Sequence, residues 1–600
     1  MSEWFEEEEQ QISRSLDREH SRRLWSFLQP HIGIFVRALL LLFAILALDL
    51  LGPWIVRMVI DGPVTELRAS GESSLQAAWA LTWPWLAAFL LLLAGLFGSH
   101  YGYLVLTTIG GQRVVRDLRV QLFEHVLRMS PDYFDRTRTG RLVTRIGSDC
   151  ENLSELFTTG VIATIHDVLK LVLLLLALFW ISVPLALWVL LWSPVLFLAT
   201  WVFQSRARSQ YRQLRGDISR QTAWFAEAMQ GMRVTRVFRR EELVQDKYDE
   251  LNRKTLHGWL LTVVMFGLFF AIVDFGITGT RATLLWPVSG EIPSGSLSYG
   301  QFFQFWIYLG MITDPIRSLG EKYNIILSAF ASAERIFHVL DEKSSLAEPE
   351  EPATPRQGEL DLHFEKVSFG YKEGQLVLRD LDFSVRSGEH VAIVGPTGAG
   401  KSTLIQLLAR FRDPVSGRIL VGGQDLRDLN LQEHRERIGI VLQDVFLFAS
   451  NILENVRLWN REISEERVAH ILEQVQASSL VEKAGGLHAK VEERGATLSQ
   501  GERQLLAFAR ALAHDPRILV LDEATANIDS QTEQRIQSAM QVLMRGRTTF
   551  VIAHRLSTIR EADRILVLDH GRLVEQGSHD ELITKGGLYS RLASAFKDKG

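Results

Sequence analysis

The chain has 600 residues, of which 47% are hydrophobic, and a formal net charge of -5 at pH 7. A chain of this length exceeds what one hydrophobic core supports, so we expect two or more domains. The mild acidity argues against nucleic acid as the main partner, and the single cysteine, Cys150, excludes an intramolecular disulfide and a cysteine-rich metal site.

The N-terminal segment, residues 1–30, is charged and then briefly amphipathic. It lacks a basic start followed by an apolar stretch and a small-residue cleavage site, so it does not read as a signal peptide. We predict a polar tail followed by a short helix that lies on the membrane surface.

Long apolar stretches dominate the next part of the chain. Each is long enough to cross a hydrocarbon core of roughly 30 Å as a helix. Buried helices of a large soluble enzyme are the alternative, but six such stretches in succession make it a poor one. We therefore predict a membrane domain of six helices over residues 31–335, with the apolar stretches at residues 34–60, 84–109, 161–181, 185–203, 256–285 and 299–327.

The connections between these stretches differ in basic residues. Residues 113–145 and 206–254 are rich in arginine, whereas the opposite connections hold only Arg68. Because basic connections stay in the cytoplasm, both of these connections and both termini are predicted to be cytoplasmic, in a multi-pass protein of the cytoplasmic (inner) membrane. Their helical periodicity predicts two cytoplasmic loops, near residues 110–158 and 205–255, that extend well beyond the bilayer.

An acidic, proline-containing linker at residues 336–357 leads to a region with the pattern of a soluble α/β domain, residues 358–600. This region contains GPTGAGKST at residues 395–403, between an apolar strand and an apolar helix. Its glycines let backbone N–H groups turn toward a phosphate at a helix N-terminus. Lys401 is placed to reach the β and γ phosphates, and the Ser402 hydroxyl to bind Mg²⁺.

A second apolar strand, residues 517–521, ends in Asp522 and Glu523. Ligands bind beyond the carboxyl ends of such strands. Asp522 is predicted to hold the Mg²⁺ shell, and Glu523 to orient and polarise the attacking water in phosphoryl transfer. The alternative is that both acids only cap a helix.

A third motif, LSQGERQ at residues 498–504, opens an apolar-periodic helix. Ser499 and Gly501 could offer a hydroxyl and backbone N–H groups to an anion, although the bare pattern is only that of a capped helix. With these three motifs, the sequence resembles the ATP-binding cassette (ABC) exporters over nearly its whole length. The resemblance implies an ATP hydrolase coupled to transport.

The resemblance also implies roles for individual residues. Glu523 corresponds to the catalytic base, His554 to the switch histidine at the γ-phosphate, and Gln443 to the glutamine that senses Mg²⁺ and water. Asp529 lies in the segment called the D-loop, and Mg²⁺ is expected at Ser402, Gln443 and, through water, Asp522. The ATP-binding residues are expected to be Tyr371, which stacks on adenine, with Gly395, Thr397, Gly398, Gly400, Lys401, Ser402, Thr403 and Asp522.

In that family two halves sandwich two ATP molecules, each between the phosphate loop of one chain and the LSGGQ signature of the other. Here the signature residues that face the partner's ATP are Ser499, Gln500, Gly501 and Glu502. The changes at Gln500 and Glu502, beside an intact Glu523, resemble one half of a heterodimeric multidrug or antigen-peptide exporter with one competent and one degenerate site.

The expected partner is a second half-transporter that has LSGGQ as its signature. At the position that corresponds to Glu523, directly after the aspartate that corresponds to Asp522, it is expected to have a residue other than glutamate. The expected cargo is amphipathic or hydrophobic compounds, lipids or peptides, with membrane lipid as surroundings and no nucleic acid as partner. Two alternatives stay open: a homodimeric lipid or drug exporter, and an ATP-gated channel or regulatory subunit.

Overall fold

The computed structural model describes residues 18–70, 75–292, 295–346, 349, 351–354, 356, 358, 360–372, 374–522, 530–553 and 555–597. The chain divides into two compact units. The first, the membrane unit, spans Met1–His125 and Leu142–Asp341, and the second, the ATPase-side unit, spans Val126–Arg141 and Glu342–Gly600. Residues 126–141, which fall inside the range predicted for the membrane domain, thus pack within the second unit.

The described residues of the membrane unit are almost entirely helical, and short 3₁₀- or π-helical turns separate several of the α-helices. Four of the predicted apolar stretches lie wholly within one helix, because these runs hold few residues that break one. Residues 34–60 extend one residue beyond a helix, and residues 299–327 are divided between two. The helices are Arg18–Leu28, Ile32–Val59, Thr65–Ser70, Leu75–Leu127, Thr139–Thr144, Cys150–Glu155, Val161–Ile181, Val183–Gln230, Met232–Val237, Glu241–Glu291, Tyr299–Met311 and Thr313–Asp341.

Among the residues that the structure describes, four helical segments are long and apolar enough to cross a membrane: Ser21–Ala69, Leu75–Leu127, Thr139–Ile181 and Glu241–Glu291. Val183–Trp192 is a shorter apolar helical segment. The crossings predicted at residues 185–203 and 299–327 are helical but stay predictions as crossings. The second of these is divided at Ile312 and carries the charged Asp314 and Lys322, which lower its hydropathy.

Several charged side chains inside the membrane unit form ion pairs. Asp149 is buried and accepts hydrogen bonds from Arg145 at 2.8 Å, Arg335 at 2.5 Å and Ser332 at 3.1 Å. Lys170 donates to Asp49 at 2.6 Å. Since an unpaired charge at low dielectric is costly, such pairs fix which helices lie side by side. Cys150, next to Asp149, is buried and free.

The ATPase-side unit contains two sheets. Strands β1 Leu362–Phe369, β2 Leu378–Val385, β4 Ser416–Val421 and β5 Gln424–Asp425 form an antiparallel sheet in the order β2-β1-β4-β5. The other sheet has the order β10-β9-β3-β8-β7-β6 and is parallel except for β10. Its strands are β3 His390–Val394, β6 Ile438–Val441, β7 Ile518–Asp522, β8 Thr548–Ile552, β9 Arg564–Asp569 and β10 Arg572–Gly577.

Both faces of the six-stranded sheet are covered. Along β3, Val391 and Ile393 pack into one apolar cluster, and Ala392 and Val394 into another. Strands buried on both faces read as continuous apolar runs, which is why β3 and β7 were recognisable in the sequence. The helices of this unit are Pro131–Arg136, Lys401–Leu408, Leu431–Glu436, Ile452–Arg457, Glu465–Gln474, Ser478–Ala484, Gln500–Ala513, Ser530–Met544, Leu556–Arg560, His579–Lys585 and Leu588–Lys597.

The predicted fold class, a membrane-helical domain joined to an α/β domain, is confirmed. The predicted domain boundaries stay predictions.

Candidate nucleotide-binding site

The glycine-rich loop lies between the end of β3 and the helix Lys401–Leu408. Gly398 and Gly400 have φ of 82° and 97°, in the left-handed region that favours glycine. A Cβ on Gly395 would collide with the carbonyl oxygen of Leu568 on the neighbouring chain segment. These glycines therefore allow the backbone a path that other residues would block, and the exposed tip at Thr397 and Gly398 is open to a ligand.

Lys401 curls back over this loop. Its Nζ donates to the carbonyl oxygens of Gly395 at 2.8 Å and Pro396 at 3.0 Å. Burial lowers the pKa of Lys401 below its ordinary value, and the nearby Asp522 carboxylate opposes that shift. Within the described part of the chain Lys401 forms no salt bridge. Its half-buried ammonium group is held by two carbonyl oxygens and by the field of Asp522, so a phosphate at the loop can bind it.

Asp522 reaches the same place from another strand. It is the last residue of β7, and β8 lies between β7 and β3 in the parallel part of the sheet. Gln443 follows β6, the parallel neighbour of β7, and is exposed. Because the carboxyl ends of parallel strands share one edge, the loop, Asp522 and Gln443 collect there. With the exposed Ser402 hydroxyl, they offer the oxygen ligands that Mg²⁺ prefers.

Tyr371 lies beside the helix that follows the loop. Its hydroxyl lies 3.0 Å from Thr403 Oγ1 and 3.2 Å from Gln406 Oε1. The Phe369 ring meets it edge-on, with centroids 5.2 Å apart. Tyr371 is still 42% exposed, so a partly free aromatic face remains next to the phosphate loop. This placement fits the predicted base-stacking role of Tyr371.

Three of the predicted site residues, Glu523, Asp529 and His554, lie outside the described residues. Their place along the chain follows from the strands that precede them, since Glu523 comes directly after β7 and His554 two residues after β8. Their roles stay predictions.

The signature residues start the helix Gln500–Ala513. Ser499 Oγ accepts from the Glu502 N–H at 3.2 Å, and the Glu502 carboxylate accepts from the Ser499 N–H at 2.8 Å, which is a capping box. Lys483 lies 3.4 Å from the same carboxylate. Burial opposes ionisation of Glu502, but the hydrogen bonds from Ser499 and the Lys483 charge outweigh it, so its pKa lies below the ordinary value.

The Glu502 carboxylate is thus turned to its own helix N-terminus. The Ser-x-x-Glu spacing in the sequence is typical of a capping box. The prediction from the signature placed Glu502 beside the partner's ATP and did not include its contact with Ser499. Gly501 has a separate role: a Cβ there would collide with the side chain of Thr532, so this glycine lets two helices of the unit approach closely. Gln500 is exposed at the start of the helix.

A phosphate loop at the edge of a parallel sheet, in a chain that also carries membrane-spanning helices, defines a nucleotide-dependent membrane protein. Comparison with known families makes this specific. Residues 35–316 match the ABC transporter transmembrane region, and residues 378–526 match the ABC transporter family.

Two curated relatives and one solved structure resemble nearly the whole chain. The uncharacterized ABC transporter ATP-binding protein YknV of Bacillus subtilis is 39% identical, over 85% of this chain and 85% of its own. The probable multidrug resistance ABC transporter ATP-binding/permease protein YheH of the same organism is 36% identical, over 89% and 82%. A bacterial Atm1-family ABC exporter with ATP bound shares 28% identity and a TM-score of 0.74, over 96% and 99%.

The chain therefore belongs to the ABC transporter family. It is an exporter half-transporter, an integral membrane protein whose ATP-binding domain is an ATPase coupled to export. The predictions of an ABC exporter half-transporter, of an ATPase coupled to export and of an integral membrane protein are confirmed.

Proposed function

We propose that this chain exports amphipathic or hydrophobic compounds, lipids or peptides out of the cytoplasm, as one half of a heterodimer with one competent and one degenerate ATP site. One observation carries the proposal: Lys401, Ser402, Gln443 and Asp522 collect at one edge of the sheet, in a chain of the exporter family. The relative whose name refers to multidrug resistance supports an amphipathic cargo.

ATP hydrolysis is assigned as follows. The loop N–H groups and Lys401 bind the β and γ phosphates, and Tyr371 stacks on the adenine. Ser402, Gln443 and, through water, Asp522 would hold Mg²⁺, which would supply positive charge to offset the phosphates. Glu523 accepts a proton from the attacking water, and His554 contacts the γ-phosphate. Asp529 follows in the D-loop.

One connection supports the proposed orientation. Residues Val126–Arg141, which join two apolar helices, belong to the same compact unit as the phosphate loop. The connection and the ATPase domain therefore lie on one side of the membrane. Its arginines, among them Arg128, Arg136 and Arg138, favour the cytoplasmic side. Both termini are assigned to that side as well.

The proposed asymmetry rests on Gln500 and Glu502. Two unit charges about 6 Å apart at an effective dielectric near 20 repel by roughly 3 kcal/mol, so a carboxylate beside the partner's ATP opposes closure of that site. The lowered pKa keeps Glu502 ionised at neutral pH. We assign the poor site to this chain's signature, and the working site to its phosphate loop, Asp522 and Glu523, completed by an LSGGQ signature from a different chain.

A homodimeric exporter is the second candidate, and a specific contact favours it. Lys483 and the Ser499 N–H already bind the Glu502 carboxylate, so its repulsion on a polyphosphate is smaller than the bare estimate. In that case LSQGE works as a signature.

The test is to purify the chain alone and together with its candidate partner, and to reconstitute each in vesicles. The heterodimer predicts little ATPase from the chain alone and, with the partner, uphill accumulation of cargo. Lys401→Ala should then abolish turnover, while the matching substitution in the partner does less. Full activity from the chain alone establishes the homodimer instead, and cargo flux that only runs downhill points to a gated channel.

A further inference from the structure

Arg412 joins two parts of the ATPase-side unit that are far apart in sequence. Its guanidinium donates to Asp132 of the helix Pro131–Arg136, and at 2.7 Å to Asp135 of the same helix. The face of the same guanidinium lies over the Tyr371 ring, 4.7 Å from the ring centroid. A single side chain thus contacts both the cytoplasmic connection of the membrane helices and the proposed adenine platform.

The ion pair with Asp132 is shielded from water. The Arg412 and Asp132 side chains are 10% and 9% exposed, whereas pairs such as Arg418–Glu365 lie on the surface of the unit. Arg136 also pairs with Asp132, at 2.7 Å, so two guanidinium groups and two carboxylates balance in charge. The Arg412–Asp132 pair at the centre of this cluster is shielded, so it holds its geometry better than a solvated ion pair, which contributes close to nothing to stability.

The loop that carries Arg412 is itself fixed. The neighbouring Arg410 is 1% exposed; it donates to Asp413 at 3.2 Å and to the Leu429 carbonyl at 3.2 Å. Arg435 donates to the Arg410 carbonyl at 2.8 Å. The position of the Arg412 backbone therefore does not depend on Tyr371 or on Asp132, and the guanidinium is presented to both from a rigid support.

Tyr371 continues the chain of contacts toward the phosphate loop. Its hydroxyl bonds with Thr403 and Gln406 on the first turns of the helix that begins at Lys401. The sequence of contacts is thus Asp132 and Asp135, Arg412, Tyr371, and then the phosphate-loop helix. Only a planar guanidinium can stack on a ring with its face while its edge donates to two carboxylates.

We propose that Arg412 is a positioning residue that couples the helix Pro131–Arg136 to adenine binding, by holding the Tyr371 ring in its stacking position. The proposal rests on the proposed function, because it takes Tyr371 as the adenine platform. Its consequence is that carboxylates on a connection of the membrane helices affect how well the chain binds ATP, through the base and not through the phosphates.

The test measures the KM for ATP and the turnover of the assembled transporter in detergent or nanodiscs. Arg412→Ala should raise the KM for ATP by about tenfold, while turnover at saturating ATP changes less than twofold. Competition by inorganic tripolyphosphate, which has no base, should stay as in the unsubstituted protein. Arg412→Lys should restore only part of the affinity, since an ammonium group cannot stack and donate to both carboxylates.

Asp135→Asn guards against misfolding, because this carboxylate is 64% exposed and its loss leaves Asp132 in place. It should raise the KM for ATP by a few-fold. Arg418→Ala, which removes an exposed arginine paired with Glu365 in the same unit, is the matched control and should leave the KM unchanged. Combining Arg412→Ala with Asp135→Asn should add little to Arg412→Ala alone.

Tyr371→Ala distinguishes failure of the coupling role of Arg412 from failure of the adenine platform at Tyr371. If it raises the KM for ATP while the Arg412 and Asp135 variants do not, the coupling role of Arg412 is wrong and the adenine platform stands. If Tyr371→Ala leaves the KM unchanged, the adenine platform is wrong and the coupling proposal falls with it. Equal loss of tripolyphosphate and ATP binding in Arg412→Ala would also overturn the proposal, because it would indicate a general disturbance of the site.

Discussion

The membrane unit and the ATPase-side unit differ in what their apolar residues contact. In the most apolar window of Leu75–Leu127 only 6% of the residues are buried within the protein, and in that of Glu241–Glu291 only 17%. In β3, by contrast, Val391, Ala392, Ile393 and Val394 are all buried. The apolar surface of the membrane helices is left for lipid, while that of the strands is enclosed by the unit itself.

This difference changes what fixes the structure. Lipid is as apolar as a leucine side chain, so burial gives the membrane helices little preference for one neighbour over another. Polar pairs such as Lys170 with Asp49 supply that preference, and Asp149 with Arg145 and Arg335 links the helices in the predicted cytoplasmic extension. In the ATPase-side unit, apolar packing holds the strands together. The charged Lys401 and Asp522 lie at the edge of the sheet, where the chemistry is expected.

The largest effect is expected from chemistry that depends on a single carboxylate. Glu523→Gln should lower ATP turnover on the order of 100- to 1000-fold while ATP binding persists, because glutamine keeps the size but cannot accept the proton. Steady-state ATPase and nucleotide binding are the measurements, with Glu473→Gln, an exposed helical carboxylate, as control. Turnover close to that of the unsubstituted protein would remove Glu523 from the role of base.

The next effect tests the claim that charges organise the membrane unit. Asp149→Asn leaves two partly buried guanidinium groups without their carboxylate and should destabilise this unit by about 3 kcal/mol. Thermal unfolding of the protein in detergent should shift down by roughly 5–10 °C. Asp249→Asn, which breaks an exposed pair with Arg253, is the control and should leave the transition in place. Equal shifts from the two variants would contradict the comparison.

The third effect concerns burial in the ATPase-side unit. Burial lowers the pKa of His434 to about 4, against a hydrogen bond to the Leu408 carbonyl that favours the charged form, and Arg410, Arg435 and Arg437 lower it further. In the unfolded chain the ordinary value is near 6.5. The unfolded state therefore binds the proton first, so stability from this residue is complete above pH 6.5 and is lost as the pH falls toward 4.

The loss amounts to about 3 kcal/mol over that interval. His434→Gln should flatten the dependence of the unfolding temperature on pH between 6.5 and 4, relative to the unsubstituted protein. His570→Gln, at a histidine whose side chain is 95% exposed, should leave the dependence unchanged. A slope that survives His434→Gln would assign the pH dependence to other groups.

The smallest effect probes the signature. Glu502→Gln keeps the capping box, since glutamine also accepts the Ser499 N–H, but removes the charge. If the carboxylate opposes closure on the partner's ATP, ATPase of the assembled transporter should rise about two- to fivefold. Lys483→Met, which removes the compensating charge, should change it in the opposite direction. No change from either variant would leave Gln500 as the only basis of the proposed asymmetry.

The sequence predicted the ATPase side well because its signals are local. The phosphate loop is recognised from GPTGAGKST together with the strand and helix that flank it. The apolar runs of β3 and β7 indicate buried strands, which end at one edge of the sheet. The membrane helices were equally visible as apolar runs. Two features of the structure could not be predicted from the sequence. The contact of Arg412 with Asp132 joins residues 280 positions apart, and no periodicity records such a pairing. Likewise, Val126–Arg141 belongs to a unit whose other part begins only at Glu342, and local sequence patterns do not record that association.

The pairing of Arg412 with Asp132 also sets an order of events during synthesis. Asp132 leaves the ribosome 280 residues before Arg412 does. At roughly 5–20 residues per second, the short acidic helix must wait about 15 to 55 seconds for its arginine. The membrane helices that follow Pro131–Arg136 are synthesised during that time, while Asp132 still lacks Arg412. A slow codon or a chaperone that delays the ATPase region would lengthen the interval in which this carboxylate pair can bind the wrong cation.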